Sequence, residues 1–312
     1  MAQSERPSIG WIGAGRMGLQ LATRLVEAGY DVAIYNRTKA KTAPLVERGG
    51  TAVDSLADLA GRDVVFSMVS ASKDLIDVTT GDGGVLTAEA APRLLIDCST
   101  VSVAASAEVR AAAAKRGCEF LAAPVSGNPK VVSAGLMTMA VSGPAAAFED
   151  AKPLLELLGR GVTHVGPDET ARLVKICHNV FLGVLTQSLA EITVLAEKGG
   201  TTRAAFLEFL NNSVMGSTFT RYKSPALVNL DFTPTFTMPL LQKDFDLGLA
   251  AARELEAPMP VASAAAALVA SAVGAGHRAE DFAALLLEQA RRSGIELTSE
   301  DVEVDDGLGD AK

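Results

Sequence analysis

Residues Gly13, Ala14, Gly15, Arg16, Met17 and Gly18 spell G-x-G-x-x-G between an apolar run and an amphipathic stretch. That spacing suits a diphosphate: Gly13 permits a tight turn, Gly15 lets the main chain approach the anion, and Gly18 lets helix and strand pack closely. The unpaired N–H groups and partial positive charge of the helix start then face the phosphates. The end of the next strand selects the dinucleotide, because a carboxylate there accepts the ribose 2′-hydroxyl of NAD, whereas a cation accommodates the 2′-phosphate of NADP. At that place the chain reads Asn36, Arg37, Thr38, with no carboxylate. Arg37 can grip a phosphate as a fork, and Asn36 and Thr38 can add uncharged hydrogen bonds. A solvated turn arginine is the alternative, but the missing carboxylate still makes NADP the expected cofactor.

A second group lies far along the chain. Lys175 and Asn179 are four apart on a stretch with helical periodicity, so their side chains rise from one face. A lysine beside a nicotinamide loses hydration, which lowers its pKa toward working pH and suits it to give or take a proton. In carbonyl reduction it would protonate the oxygen as hydride reaches carbon; in alcohol oxidation it would accept the hydroxyl proton. Asn179 would hold the lysine and the reacting oxygen in line without charge. A surface lysine on an amphipathic helix is the bland alternative. His178 reads as a hydrogen-bonded neighbour of the site, with a second proton carrier as the alternative. Cys177 reads as a buried structural thiol. No His or Cys spacing suits a metal.

On four stretches the chain resembles the β-hydroxyacid dehydrogenases, the family of 3-hydroxyisobutyrate dehydrogenase, tartronate semialdehyde reductase and glyoxylate/succinic semialdehyde reductases, with 6-phosphogluconate dehydrogenase more distant. They are the glycine loop with Met17; Ala123, Pro124, Val125, Ser126, Gly127, similar to the family's D-A-P-V-S-G-G; Lys175 to Asn179, similar to K-x-x-N-N; and Lys243, Asp244 onward, similar to K-D-x-x-L-A. The resemblance implies that Ser126 and Gly127 bind a substrate carboxylate, and that Lys243 is a second cation near cofactor or substrate. Ala122 replaces the usual Asp. Asn128 replaces the second Gly, adding an amide that narrows or repurposes the pocket. Asp97 to Thr100 resembles D-x-S-T at a strand end, where ligands bind in such sheets, which assigns Thr100 to substrate and nicotinamide. Met68, Val69 and Ser70 close the neighbouring strand and are assigned to the adenosine side. Gly216, Ser217 and Phe236 are expected near the pocket wall. Imine reductases resemble this fold but generally lack the lysine, and a non-catalytic NADPH-binding protein would have lost it. Phosphogluconate oxidation is disfavoured by the short helical half and the lack of a basic cluster.

These groups need a scaffold. Short apolar runs at 8–12, 31–35, 63–69, 94–97, 119–123, 138–141 and 162–165 alternate with helical stretches such as 18–28, 104–116 and 146–158. Strands buried on both faces belong to a helix-covered parallel sheet, so this half reads as a Rossmann-type doubly wound α/β domain over 1–166. After Gly166 and Pro167 the texture becomes helical. One helix is expected over 170–199, joining the halves, with others at 203–211, 240–255, 261–273 and 279–293. The expected organisation is 1–166 for the dinucleotide, 167–296 as an all-α substrate and oligomerisation domain, and 297–312 as a disordered acidic tail.

Composition narrows the partners. The 312 residues carry 28 Lys and Arg against 37 Asp and Glu, a net charge of -9, and no basic cluster, so nucleic acid is not an expected partner. Seven of those carboxylates lie in 296–312. Three cysteines, an odd number without C-x-x-C, fit a reducing compartment. Glu5 and Arg6 stand where a signal peptide needs an apolar core, so a cytoplasmic location is expected. The uncharged run 257–276 is mostly Ala, Ser and Gly, reading as a packed helix rather than a membrane span. The apolar surface of the helical half is more than a small domain hides, which predicts a homodimer or homotetramer.

Overall fold

The computed structural model describes residues 6–309. The chain divides into two compact units, with the division after Lys175. The first unit contains strands β1 Ile9–Ile12, β2 Val32–Tyr35, β3 Thr51–Ala52, β4 Val64–Ser67, β5 Leu94–Asp97, β6 Glu119–Ala122, β7 Val125–Ser126, β8 Thr138–Ser142 and β9 Gly161–Gly166. Its helices are α1 Arg16–Glu27, α2 Ala43–Val46, α3 Ser72–Thr79, α4 Val103–Lys115, α5 Pro129–Ser133 and α6 Ala145–Leu158.

The sheet runs β3-β2-β1-β4-β5-β6 in parallel, so the strand order reverses beside β1, where doubly wound sheets bind their ligands. Successive strand residues face opposite ways. Val64 and Phe66 join one apolar cluster, with Leu21, Leu25 and Phe148, while Val65 joins the other, with Leu75 and Val109. That two-sided burial is what the continuous apolar runs predict. The last strands depart from the expected parallel order: β8 is antiparallel to β6 and β7, and β9 is parallel to β8. The five-residue α5 is too short to carry the chain back across the sheet, so β8 returns in the opposite sense.

Helix α7, Thr170–Lys198, starts in the first unit and continues into the second. The compact units thus divide a few residues into the helix. Its first turns belong to the sheet unit because Ala171 joins that unit's core and Arg172 bonds to β5.

The second unit adds α8 Arg203–Asn212, α9 Thr218–Asn229, α10 Met238–Glu254, α11 Pro260–Gly274 and α12 Leu285–Arg292 around one core built on Leu189, Leu241, Phe245 and Phe282. Helix α9 escapes sequence reading because Pro225 sits inside it, where proline normally breaks a helix.

The acidic stretch is not the disordered tail expected over 297–312. Leu297 and Val304 pack on the helical core, Glu300 accepts from the N–H groups of Arg203 and Ala204, and Val302 bonds to Asn229. Its carboxylates find backbone donors that a sequence does not reveal. Positions 310–312 lie outside the described residues.

Candidate active site

In the first unit the glycine loop is held by contacts that leave no room for side chains. Gly13 has φ +105°, and a Cβ there would stand 2.2 Å from the Met68 carbonyl oxygen. A Cβ on Gly18 would stand 2.2 Å from the Gly13 oxygen. Gly15 differs: a Cβ would meet no protein atom within 4 Å. Glycine at 15 is therefore not demanded by internal packing, and it fits a main chain that a diphosphate must approach. Gly15 is also the N-cap of α1 and has no side chain to cap it, and a helix start presents N–H groups and partial positive charge to an anion. Exposed Arg16 and half-buried Met17 open that helix.

Asn36 braces this loop. Its Oδ1 accepts from the Ala14 N–H at 2.8 Å, and its Nδ2 donates to the Thr38 carbonyl at 2.9 Å. Arg37 is 90% exposed, and its nearest carboxylate, Asp74, is 3.8 Å away. A solvated contact of that length contributes little, so the guanidinium can be recruited by an anion. Exposed Thr38 caps the following 3-10 turn without a side-chain bond.

The ends of β4 and β5 are linked by a fully buried network that sequence reading missed. Asp97 Oδ1 accepts from Ser67 Oγ at 2.6 Å and Ser99 Oγ at 2.7 Å. Its Oδ2 accepts from Arg172 Nη2 at 2.5 Å. Ser99 Oγ in turn accepts from the Val69 N–H at 2.9 Å. Met68, Val69, Ser70 and Thr100, all assigned to ligand contacts, thus lie on loops tied to one buried carboxylate. Ser67 and Asp97 are directly paired in register across β4 and β5, a proximity that strand alignment could have suggested. Arg172 could not have been placed without the fold.

Val125 and Ser126 form β7, and Gly127 follows at φ +147° with the crowded Val131 side chain 3.0 Å from where a Cβ would stand. Asn128 is buried, and its Oδ1 accepts from the Val131 N–H at 3.0 Å as the N-cap of α5.

Lys175 is the last residue of the first unit and only 9% exposed, although most lysines keep their ammonium in water. One turn further along α7, in the second unit, Asn179 is buried with both ends of its amide engaged. Nδ2 donates to Asp244 Oδ2 at 2.5 Å, and Oδ1 lies 3.0 Å from His178 Nδ1. His178 is exposed and touches the asparagine, as expected of a supporting histidine. Cys177 is exposed, not buried: it lies on the outward face with Val174 and Phe181.

Asp244, which the sequence shows only as part of the motif with Lys243 and without a role of its own, is 1% exposed. The available signal was a carboxylate on the same helical face as Leu241, Phe245 and Gly248, all buried. Lys243 is a third exposed and 3.2 Å from Asp244 Oδ1, close enough for an ion pair although not aligned as a hydrogen bond. Phe236 packs edge-on against Phe282. Ser217 caps α9, and Gly216 passes so close to the Asn211 carbonyl that a Cβ would be 2.3 Å from it. Among the described residues, no group of three or more His, Cys, Asp or Glu side chains converges on a metal position.

Comparison with known proteins places these features in a lineage. Residues 8–166 match the NAD-binding domain of 6-phosphogluconate dehydrogenase, and 170–288 match the NAD-binding region of NADP-dependent 3-hydroxyisobutyrate dehydrogenase. The chain is 33% identical to an NAD-dependent L-serine dehydrogenase of Pseudomonas aeruginosa over 88% of this chain and 95% of that one. It is also 33% identical to a 3-hydroxyisobutyrate dehydrogenase of the same organism, over 89% and 96%. A solved Mycobacterium tuberculosis 3-hydroxyisobutyrate dehydrogenase with L-serine superposes with TM-score 0.80 at 30% identity, over 90% and 98%. The chain therefore belongs to the β-hydroxyacid dehydrogenase family of NAD(P)-dependent oxidoreductases acting on the hydroxyl groups of small hydroxyacids.

Proposed function

We propose that this enzyme uses NADP to interconvert a small β-hydroxyacid and its semialdehyde, with Lys175 as the general acid and base. The observation that carries the reading is the burial of Lys175 on α7, three residues after an arginine bonded to the end of β5. Bound nicotinamide supplies or accepts the hydride. Lys175 gives a proton to the carbonyl oxygen in reduction and takes one from the hydroxyl in oxidation. Asn179, its amide fixed by Asp244 and His178, orients the reacting oxygen. Ser126 and Gly127 receive the substrate carboxylate through hydroxyl and main-chain donors. NADP over NAD is supported by Asn36 in place of a carboxylate and by the exposed guanidinium of Arg37. Imine reduction is the competing chemistry, and Lys175 weighs against it.

The test is oxidation of NADPH and NADH with glyoxylate, succinic semialdehyde, methylmalonate semialdehyde and tartronate semialdehyde. Lys175→Ala is expected to lower kcat by about 10²- to 10⁴-fold, the usual range for a lost proton carrier. Unchanged turnover in that variant would falsify the assignment. Arg37→Ala is expected to weaken NADPH by about 10- to 100-fold relative to NADH, the equivalent of one charge-assisted hydrogen bond. Equal loss for both cofactors would remove the basis for the NADP assignment.

A cytoplasmic homodimer or homotetramer completes the reading. In the second unit Phe181, Leu195 and Phe209 are each about two-thirds or more exposed, large apolar side chains that a subunit interface would cover. Light scattering on the eluting protein should give at least twice the chain mass of 32.3 kDa.

A further inference from the structure

The arginine that leads to the catalytic lysine is built into the sheet more thoroughly than a helix anchor requires. Arg172 is 1% exposed and uses three separate nitrogens: Nη2 to Asp97 Oδ2 at 2.5 Å, Nη1 to the Ser99 carbonyl at 2.6 Å, and Nε to Ser106 Oγ at 3.0 Å. The acceptors come from β5, the loop that follows it, and α4. Asp97 carries the connection to Ser67 at the end of β4, and Ser99 carries it to the Val69 N–H. One planar guanidinium thus fixes the first turn of α7 against both loops that bear Val69, Ser70 and Thr100. Lys175 stands at i+3 from Arg172, on the same side of the helix.

We infer that Arg172 is a positioning residue for the reaction: with Asp97, it sets the height and rotation of Lys175 relative to the strand ends that hold the nicotinamide. The inference rests on the assignment of Lys175 as proton carrier. A rigid planar fork suits this task, because three bonds in one plane fix an angle as well as a distance, whereas a lysine ammonium in its place would bind as a point and leave the helix free to turn. A displacement on the order of 1 Å at the reacting atoms is enough to cost about 10²-fold in rate. Arg172 touches neither substrate nor cofactor in this role, so its influence must pass through Lys175.

That dependence is open to a double-mutant cycle on the full-length protein, using NADPH and whichever semialdehyde the panel turns over. Arg172→Lys is expected to lower kcat by about 10- to 100-fold, while NADPH affinity, read by fluorescence titration, changes by less than about twofold. In the Lys175→Ala background the same substitution is expected to cost less than about twofold more, because the group it positions is gone. Equal losses in both backgrounds, or a fall in NADPH affinity that tracks the fall in kcat, would overturn the inference and make Arg172 a general structural anchor. Full turnover in Lys175→Ala would instead overturn the proton-carrier assignment, and this inference with it. Should Arg172→Lys fail to fold, Ser106→Ala removes one of the three bonds. The expectation is then a loss of a few-fold that again vanishes beside Lys175→Ala, with Ser106→Thr restoring the wild-type rate.

Discussion

Each unit buries an ion pair, and the two are organised in opposite senses. In the sheet unit the cation is the centre: Arg172 spreads its three donors over Asp97, Ser99 and Ser106, while the carboxylate is completed by two serine hydroxyls. In the helical unit the anion is the centre. Asp281 accepts from Lys223 at 2.6 Å, from the Thr235 N–H and hydroxyl, and from the N–H groups of Phe236 and Ala283, while the Lys223 ammonium lies 4.4 Å from the Phe282 ring centre. The difference follows from what each joins. A guanidinium joins elements already built, at a fixed angle, whereas a carboxylate gathers the loose N–H groups of a loop, here the segment ending in Phe236. The first arrangement should govern the rate, and the second should govern stability and the placement of the loop that carries Phe236.

The largest effect expected from that contrast is in stability. Asp281→Ala leaves the Lys223 ammonium buried against Phe282 without its neutralising carboxylate, at a cost of about 3–5 kcal/mol. Denaturant unfolding followed by circular dichroism would measure it. With any semialdehyde the enzyme turns over, KM should rise more than kcat falls, since the loop carrying Phe236 loses its clamp while Lys175 is untouched. A loss confined to kcat would erase the distinction between the two pairs.

The next effect is a pH dependence. Burial works against ionisation of Asp281, but the Lys223 charge and the bonds from Lys223, Thr235 and Ala283 outweigh it and hold the carboxyl below the usual range. A carboxyl whose folded pKa is depressed stabilises fully above its unfolded value, about 3.9, and that contribution is lost as pH falls through the folded pKa. Unfolding midpoints of the wild type should therefore decline below about pH 4 more steeply than those of Asp281→Asn, which has no proton to take up there. Parallel declines would mean that other carboxylates set the acid limit.

Sequence patterns revealed the parts of this contrast that depend on local chemistry. The glycine loop, the missing carboxylate at Asn36, and the lysine and asparagine one turn apart on a long helix all express rules that act within a few residues. Helix α7 ends at Lys198, immediately before Gly199 and Gly200, a pair that favours a helix stop. What stayed hidden are contacts between distant residues. Arg172 and Asp97 are 75 positions apart, and Lys223 and Asp281 are 58 apart. Nothing in their neighbours distinguishes them from surface charges. The capping role of Asn128 is local too: it precedes a proline and caps a short helix, a pattern of neighbouring residues that the comparison with a family motif passes over.

The smallest effect concerns a second arginine centre, which tests whether such centres act on the rate only when they lie beside the proposed proton carrier. Arg203 is buried in the helical unit and donates to the carbonyls of Leu227, Val228 and Thr298 and to Glu197. Glu300, from the stretch first read as a solvated tail, receives the N–H groups of Arg203 and Ala204 at 2.6 and 3.1 Å, placing a carboxylate at the start of α8. A carboxylate there is favoured by both the free N–H groups and the helix dipole, so Glu300→Gln should cost about 1 kcal/mol. High salt should shrink that difference, because the site is partly open to solvent. Steady-state kcat should stay at the wild-type value, since this centre positions a tail and not a proton carrier. A kcat that fell with Glu300→Gln would show that rate control by an arginine centre is not special to Arg172, and the contrast between the two units would lose its meaning.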